Sequence, residues 1–210
     1  MNMFNTIQKS INQLNENNIQ STFDSIAKEL FSGYCIQCGG KKFLLAEIEF
    51  YYYKEGELDK PWNDVTYCRE NYKAGDFFYH LSGVDICFDS CLTKCGKRKK
   101  GRGGGILIRS LYEETQNGSR VIVGPLTCVN TMLNACDNGQ MPKIVAFQKR
   151  KNIDDPQSTY RFLGETDFGL IPNGNKDKKL KLAYFDKTIK AELWNAARSS
   201  YYKNRLTKWL

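Results

Sequence analysis

Ala46-Glu47-Ile48-Glu49-Phe50-Tyr51, read against Gly104-Gly105-Ile106-Leu107-Ile108-Arg109-Ser110-Leu111, decides the fold of this chain. The first stretch alternates as a strand does, and it places two carboxylates and an aromatic ring on one face. The second reads as an apolar strand that ends in one arginine. A carboxylate, a flat ring and a cation gathered on a sheet can activate water beside a planar substrate.

Outward from these strands the pattern is mixed. Upstream, Phe23, Ile26, Ala27, Leu30 and Phe31 recur at helical spacing, with Ser21 and Thr22 as a candidate N-cap and Gly33 as the stop. Residues 1–20 are polar and asparagine-rich, and they read as a weak helix or a loose lead-in to a single domain over 21–210. Tyr34 to Gln37 and Phe43 to Tyr53 read as strands around a Gly39-Gly40 turn. Lys54 to Tyr72, with Pro61 and Trp62, reads as a long surface loop of the functional kind. Asp76 to Asp89 reads as a ribbon broken near Ser82-Gly83. Pro125 to Ala135 reads as a helix with Leu126, Val129, Met132 and Leu133 inward. Lys143 to Phe147 and Tyr160 to Leu170 read as strands, Pro172 to Asn175 as a turn, and Thr188 to Trp209 as an amphipathic helix.

The charge balance of 31 Lys and Arg against 23 Asp and Glu, a net +8, favours an anionic partner, with nucleic acid ahead of an acidic membrane surface. No apolar run approaches a membrane span, and Met1 to Gln13 has no signal-peptide pattern. An intracellular protein, cytoplasmic or nuclear, is expected. Eight cysteines in a lysine-rich chain of this length then read as thiols rather than as a disulfide scaffold.

Each candidate residue has a plain reading beside the functional one. Glu47 and Glu49 are ordinary carboxylates on a wet strand face, or a desolvated pair on a central strand. Tyr51, Tyr52 and Tyr53 are core rings or base-stacking rings. Arg109 is a surface cation or an anion clamp. Lys94, Lys97, Arg98, Lys99, Lys100 and Arg102 form a solvated basic loop or a phosphate-contacting one. Cys35-x-x-Cys38 with Cys91-x-x-x-Cys95 has loose zinc spacing and no histidine nearby, so free thiols are the expectation. His80 is the only histidine, and nothing around it makes a nucleophilic triad.

Read in order, these segments resemble the alkyladenine (3-methyladenine) DNA glycosylase family. Ile26 to Gly33 looks like that family's first helix, and Ala46 to Tyr51 is similar to its Glu-x-Glu-Ala-Tyr motif. Ala74-Gly75-Asp76-Phe77-Phe78-Tyr79-His80 looks like its Pro-Gly-x-x-Tyr-Val-Tyr strand. Ile106 to Leu111 resembles its Val-Leu-Ile-Arg-Ala-Leu strand, and Gly124-Pro125-Leu126 its Gly-Pro-x-x-Leu helix start. The resemblance covers about Phe23 to Cys136. It implies an α+β fold, a single domain with a curved, mainly antiparallel sheet flanked by helices. It also implies a monofunctional DNA glycosylase of base-excision repair, a monomer on double-stranded DNA that needs neither metal nor cofactor.

By the same resemblance Glu49 activates the water and Arg109 supports it. Tyr51 stacks on the flipped base, His80 lies near a second aromatic wall, and Leu81-Ser82 lies near the wedge. Departures are as plain. Glu57 to Lys60 stand where the family has a histidine, and Trp62 is a candidate replacement for its stacking. Asp89 replaces an asparagine that screens purines, so base preference is open. Thr66 to Asn71 and Asp167-Phe168-Gly169 keep two further family motifs only loosely, and the basic loop is extra. Two other readings stand beside the enzyme: a catalytically silent nucleic-acid binder on the same fold, and a zinc-stabilised interaction protein.

Overall fold

The computed structural model describes residues 3–15, 17–54, 72–90, 93–95, 98–100, 102–115, 118–137, 139–147, 157–159, 183–186 and 188–206. The architecture is α+β, built on a curled antiparallel sheet. Its spine is β2 (Lys41–Lys54) paired along its length with β7 (Arg102–Thr115). At one end of the spine, β1 (Tyr34–Cys38) pairs with β2 and with β9 (Lys143–Ala146), and β8 (Gly118–Val123) pairs with β7. At the other end, β11 (Ala183–Phe185) joins β2 to β10 (Gln157–Thr159), while β4 (Gly83–Cys87) joins β7 to β3 (Phe77–His80). The basic run, expected as a loop, forms a separate two-stranded hairpin of β5 (Thr93–Cys95) and β6 (Arg98–Lys100).

The apolar pattern explains which face is covered. Phe43, Leu45, Ile48, Phe50 and Tyr52 are buried in the main core, on the face against which α2 (Ile19–Gly33) packs. Phe23 of α2 stacks on Phe50 at 4.5 Å between ring centroids, and Tyr184 meets Phe50 edge-on at 5.2 Å. The Tyr184 hydroxyl accepts from Gln20 Nε2 at 2.9 Å and donates to Asp24 at 2.8 Å, so β11 is tied to the start of α2. Burial and the Asp24 carboxylate both push that phenol's pKa up.

Helix α2 starts at Ile19, earlier than Ser21 or Thr22 would cap it, and its N-cap residue, Asn18, makes no side-chain cap bond. The Asn18 side-chain Oδ1 instead accepts from the Asn15 backbone N–H at 2.8 Å and closes the turn before the helix. That turn follows α1 (Met3–Asn12), the helical alternative of the two readings of residues 1–20. Phe4, Ile7, Ile11 and Leu14 recur at spacings of three and four and are buried in the main core. Residues 3–15 are thus integral to the domain. Ile11→Ala is expected to destabilise the protein by about 2–5 kcal/mol, seen as a lower urea midpoint at unchanged slope.

Helix α3 (Pro125–Asn134) buries Cys128, Val129 and Met132, whereas Leu126 and Leu133, expected inward, are 51% and 40% exposed. A smaller core lies where Ile189 and Trp194, the latter from α4 (Ala191–Leu206), meet Ala46 and Val121. Nearby, the buried Glu113 carboxylate is bracketed by Arg120 at 2.5 Å and Lys41 at 3.4 Å. Among the described residues, no helix is long and apolar enough to cross a membrane. Trp62, Thr66 to Asn71, Tyr160 to Leu170 and the Pro172 turn lie outside the described residues.

Candidate active site

The spine is irregular at one level. Leu45 pairs with Leu111, Glu47 with Ser110 and Ile48 with Ile108, so the register skips Ala46 on β2 and Arg109 on β7. Each strand carries one extra residue there, and its side chains change phase. Inward residues run Phe43, Leu45, then Ile48, Phe50; on β7 they run Ile106, Ile108, then Leu111. Both backbone carbonyls remain satisfied, since Ala46 O accepts from Asp186 N and Arg109 O from Gly124 N, each at 2.9 Å. Arg109 therefore sits in the middle of β7, a correction of the strand-terminal position expected for it.

The double irregularity gathers the polar side chains. Arg109 Nη1 donates to Glu49 Oε2 at 2.6 Å, and Arg109 Nε lies 3.4 Å from Glu47 Oε1. Ser110 Oγ donates to the other Glu47 oxygen at 3.0 Å. One guanidinium thus faces two carboxylates, with a serine fixing the outer one. Glu49 is 8% exposed, so the ion pair is worth more than a wet surface pair. Burial drives the Cys128 thiol's pKa upward, with the Glu47 charge adding and Arg109 opposing, which places α3 beside the same cluster.

Register extends this face sideways. Glu49 pairs with Leu107, Leu107 with Asp85 and Asp85 with Phe78, and directly paired residues share a face. Asp85 is 1% exposed, and its carboxylate lies 3.0 Å from His80 Nε2. His80 Nδ1 accepts from the Ser82 backbone N–H at 3.2 Å, and the imidazole stacks on Phe78. Both ring nitrogens face protein groups, so the histidine braces the β3–β4 turn. At that turn Leu81 is 97% exposed. Gly83 follows at φ +152°, where a Cβ would meet Pro125 Cβ at 2.6 Å, so the turn abuts the start of α3.

The remaining candidates are placed as follows. Tyr51 lies on the Glu49 face but is 2% exposed, packed in the main core. Asp89 accepts from the Ala74 N–H at 2.8 Å and its own N–H donates to Gln8 at 2.7 Å, so it ties the loop before β3 to α1. No described contact joins Asp89 to Glu49 or Arg109. Arg102 is half-buried beside Lys54 in the register of the spine; Lys94, Arg98, Lys99 and Lys100 are placed by backbone alone, and Lys97 lies outside the described residues. Cys35 and Cys38 are buried and three residues apart on β1, hence on opposite faces. Burial, aided by Cys136, pushes the Cys38 thiol up to about 12. Cys91 and the Cys95 side chain lie outside the described residues.

Two participants had no forecast in the sequence reading: Ser110 as the anchor of Glu47, and Asp85 as the partner of His80. A phase slip in the apolar pattern at 45–48 and 108–111 would have flagged the first. A lone aspartate inside Gly83-Val84-Asp85-Ile86-Cys87 would have flagged the second, because a buried carboxylate needs a partner. In comparisons with known proteins, no family model, no curated protein and no solved structure matches this chain.

Proposed function

We propose that this protein is a monofunctional DNA N-glycosylase of the alkyladenine type, a divergent member that excises a damaged or modified base. The observation that carries this reading is the Glu49–Arg109 pair, set at 2.6 Å across the two central strands. It lies on the sheet face that ends in the exposed Leu81 turn. A duplex presents no glycosidic carbon to such a site, so the target nucleotide must be flipped, at a cost of a few kcal/mol. Leu81 supplies an apolar wedge of the kind that fills a vacated stack. Water enters between Glu49 and the sugar and gives its proton to Glu49. Its oxygen bonds to C1′ while the C1′–N bond breaks, and that electron pair leaves with the base. Arg109 orients the carboxylate and the water. A cationic alkylated base leaves without further help.

The protein works in this reading as a monomer on double-stranded DNA, in the cytoplasm or the nucleus, with no cofactor drawn into the reaction. The run from Lys94 to Arg102 supplies phosphate contacts without sequence preference. The test is release of base from duplexes that carry a panel of modified bases, read as abasic sites cleaved by alkali. Leu81→Ala is expected to weaken binding to the lesion duplex about tenfold and to leave single-strand binding unchanged. Competitive binding at constant salt checks it.

The near-complete burial of Glu49 and Tyr51 favours one second reading, a catalytically silent binder on the same fold. It predicts salt-sensitive DNA binding with no abasic product from any duplex in the panel.

A further inference from the structure

We infer that Glu47 and Ser110 are positioning residues that hold the Arg109 guanidinium in register with Glu49, an inference that rests on the glycosylase reading above. Arginine has many rotamers and little reason of its own to lie flat across a strand pair. Here its head is fixed at two points, Nη1 at 2.6 Å from Glu49 and Nε at 3.4 Å from Glu47. Glu47 is itself fixed, because Ser110 Oγ, fully buried, donates to its other oxygen at 3.0 Å.

The backbone makes this arrangement. Arg109 is the extra residue on β7, and Ser110, next in sequence, is the one that faces Glu47 across the pair. An ordinary ladder would send Arg109 and Ser110 to opposite faces. The irregularity lets both serve one carboxylate. Glu47 then does no chemistry in the reaction: Glu49 takes the proton, and Glu47 keeps Arg109 from following Glu49 when substrate and water enter.

The experiment separates the clamp from the reaction. Side-chain ¹⁵Nε relaxation of Arg109 reads its rigidity without substrate, and single-turnover base release reads kcat and KM. In wild type the Arg109 Nε–H is expected to be as ordered as the backbone. Glu47→Ala is expected to free it and to lower kcat about 100-fold with little change in KM. Glu47→Gln, which keeps one acceptor oxygen, restores part of both. Ser110→Ala frees it less and costs about tenfold.

An Arg109 that stays rigid in Glu47→Ala overturns the clamp, whatever the activity. A freed Arg109 with unchanged kcat overturns the positioning role. A clamp intact in wild type and lost in Glu47→Ala, in a protein that releases no base, supports the clamp and sinks the glycosylase reading instead. If Glu47→Ala fails to fold, Ser110→Ala and Glu47→Gln carry the same comparison.

Discussion

Glu49→Gln is expected to slow base release by roughly two to four orders of magnitude while leaving lesion binding nearly unchanged. Glutamine keeps the shape and one acceptor for the Arg109 N–H, but it takes no proton from water. The fold survives the change because Arg109 keeps the Glu47 carboxylate 3.4 Å from its Nε. That residual partner avoids the large penalty of a buried, unpaired charge. Single-turnover release from the most active duplex, with binding measured on the same duplex, gives the answer. Equal rates for wild type and Glu49→Gln would remove Glu49 from the mechanism. Loss of binding and release together would instead mean a structural role.

Gly104→Ala is expected to cost about 3 kcal/mol or more and to abolish whatever the site does. A Cβ at this position would be driven into the Tyr51 carbonyl oxygen and would lie 2.8 Å from Tyr52 Cα. Both are backbone atoms, so neither can rotate away as a side-chain end would. Relief requires β2 and β7 to part where Tyr52 pairs with Gly104, three residues beyond the Glu49–Leu107 pair. Gly40→Ala is the control, since a Cβ there meets nothing within 4 Å and should stay within about 0.5 kcal/mol of wild type. Urea midpoints for both variants check the difference. A Gly104→Ala protein as stable as Gly40→Ala would show that the two strands are less tightly joined than they appear.

The strands and their faces were legible where periodicity was strong. Phe43 to Tyr53 is apolar and aromatic enough to read as a central strand, and Gly33 is the last residue of α2. The short polar-looking α1 was legible only as a weak helix or a loose lead-in, because its apolar residues are diluted by asparagine and glutamine and only tertiary burial reveals their stripe. Strand β8 escaped notice because Gly118, Ser119 and Arg120 are exposed and only Val121 and Ile122 are buried, in different cores. At the site, the residue types were legible and their geometry was not. Glu49 and Arg109 stood out as a carboxylate and a cation among apolar neighbours. Sequence alternation alone could not show that two opposed extra residues bring Arg109, Glu47 and Ser110 to one point. Nor could it show that Asp89, a candidate for base discrimination, spends its carboxylate on the Ala74 N–H.

The Tyr184 hydroxyl has a consequence for how the chain reaches this state on the ribosome. Its bonds to Gln20 and Asp24 span 164 and 160 residues. Helix α2 emerges early, yet one of its anchors arrives only after some 160 further residues have been made. Until β11 is made, the side of β2 that it will cover is an open edge with unpaired donors and acceptors. Contacts of such long range close slowly and expose the nascent sheet meanwhile. The carboxylate pair at the heart of the site lies on that same strand. In a growing chain, Glu47 and Glu49 therefore place two negative charges on an edge that would otherwise invite a second copy of itself.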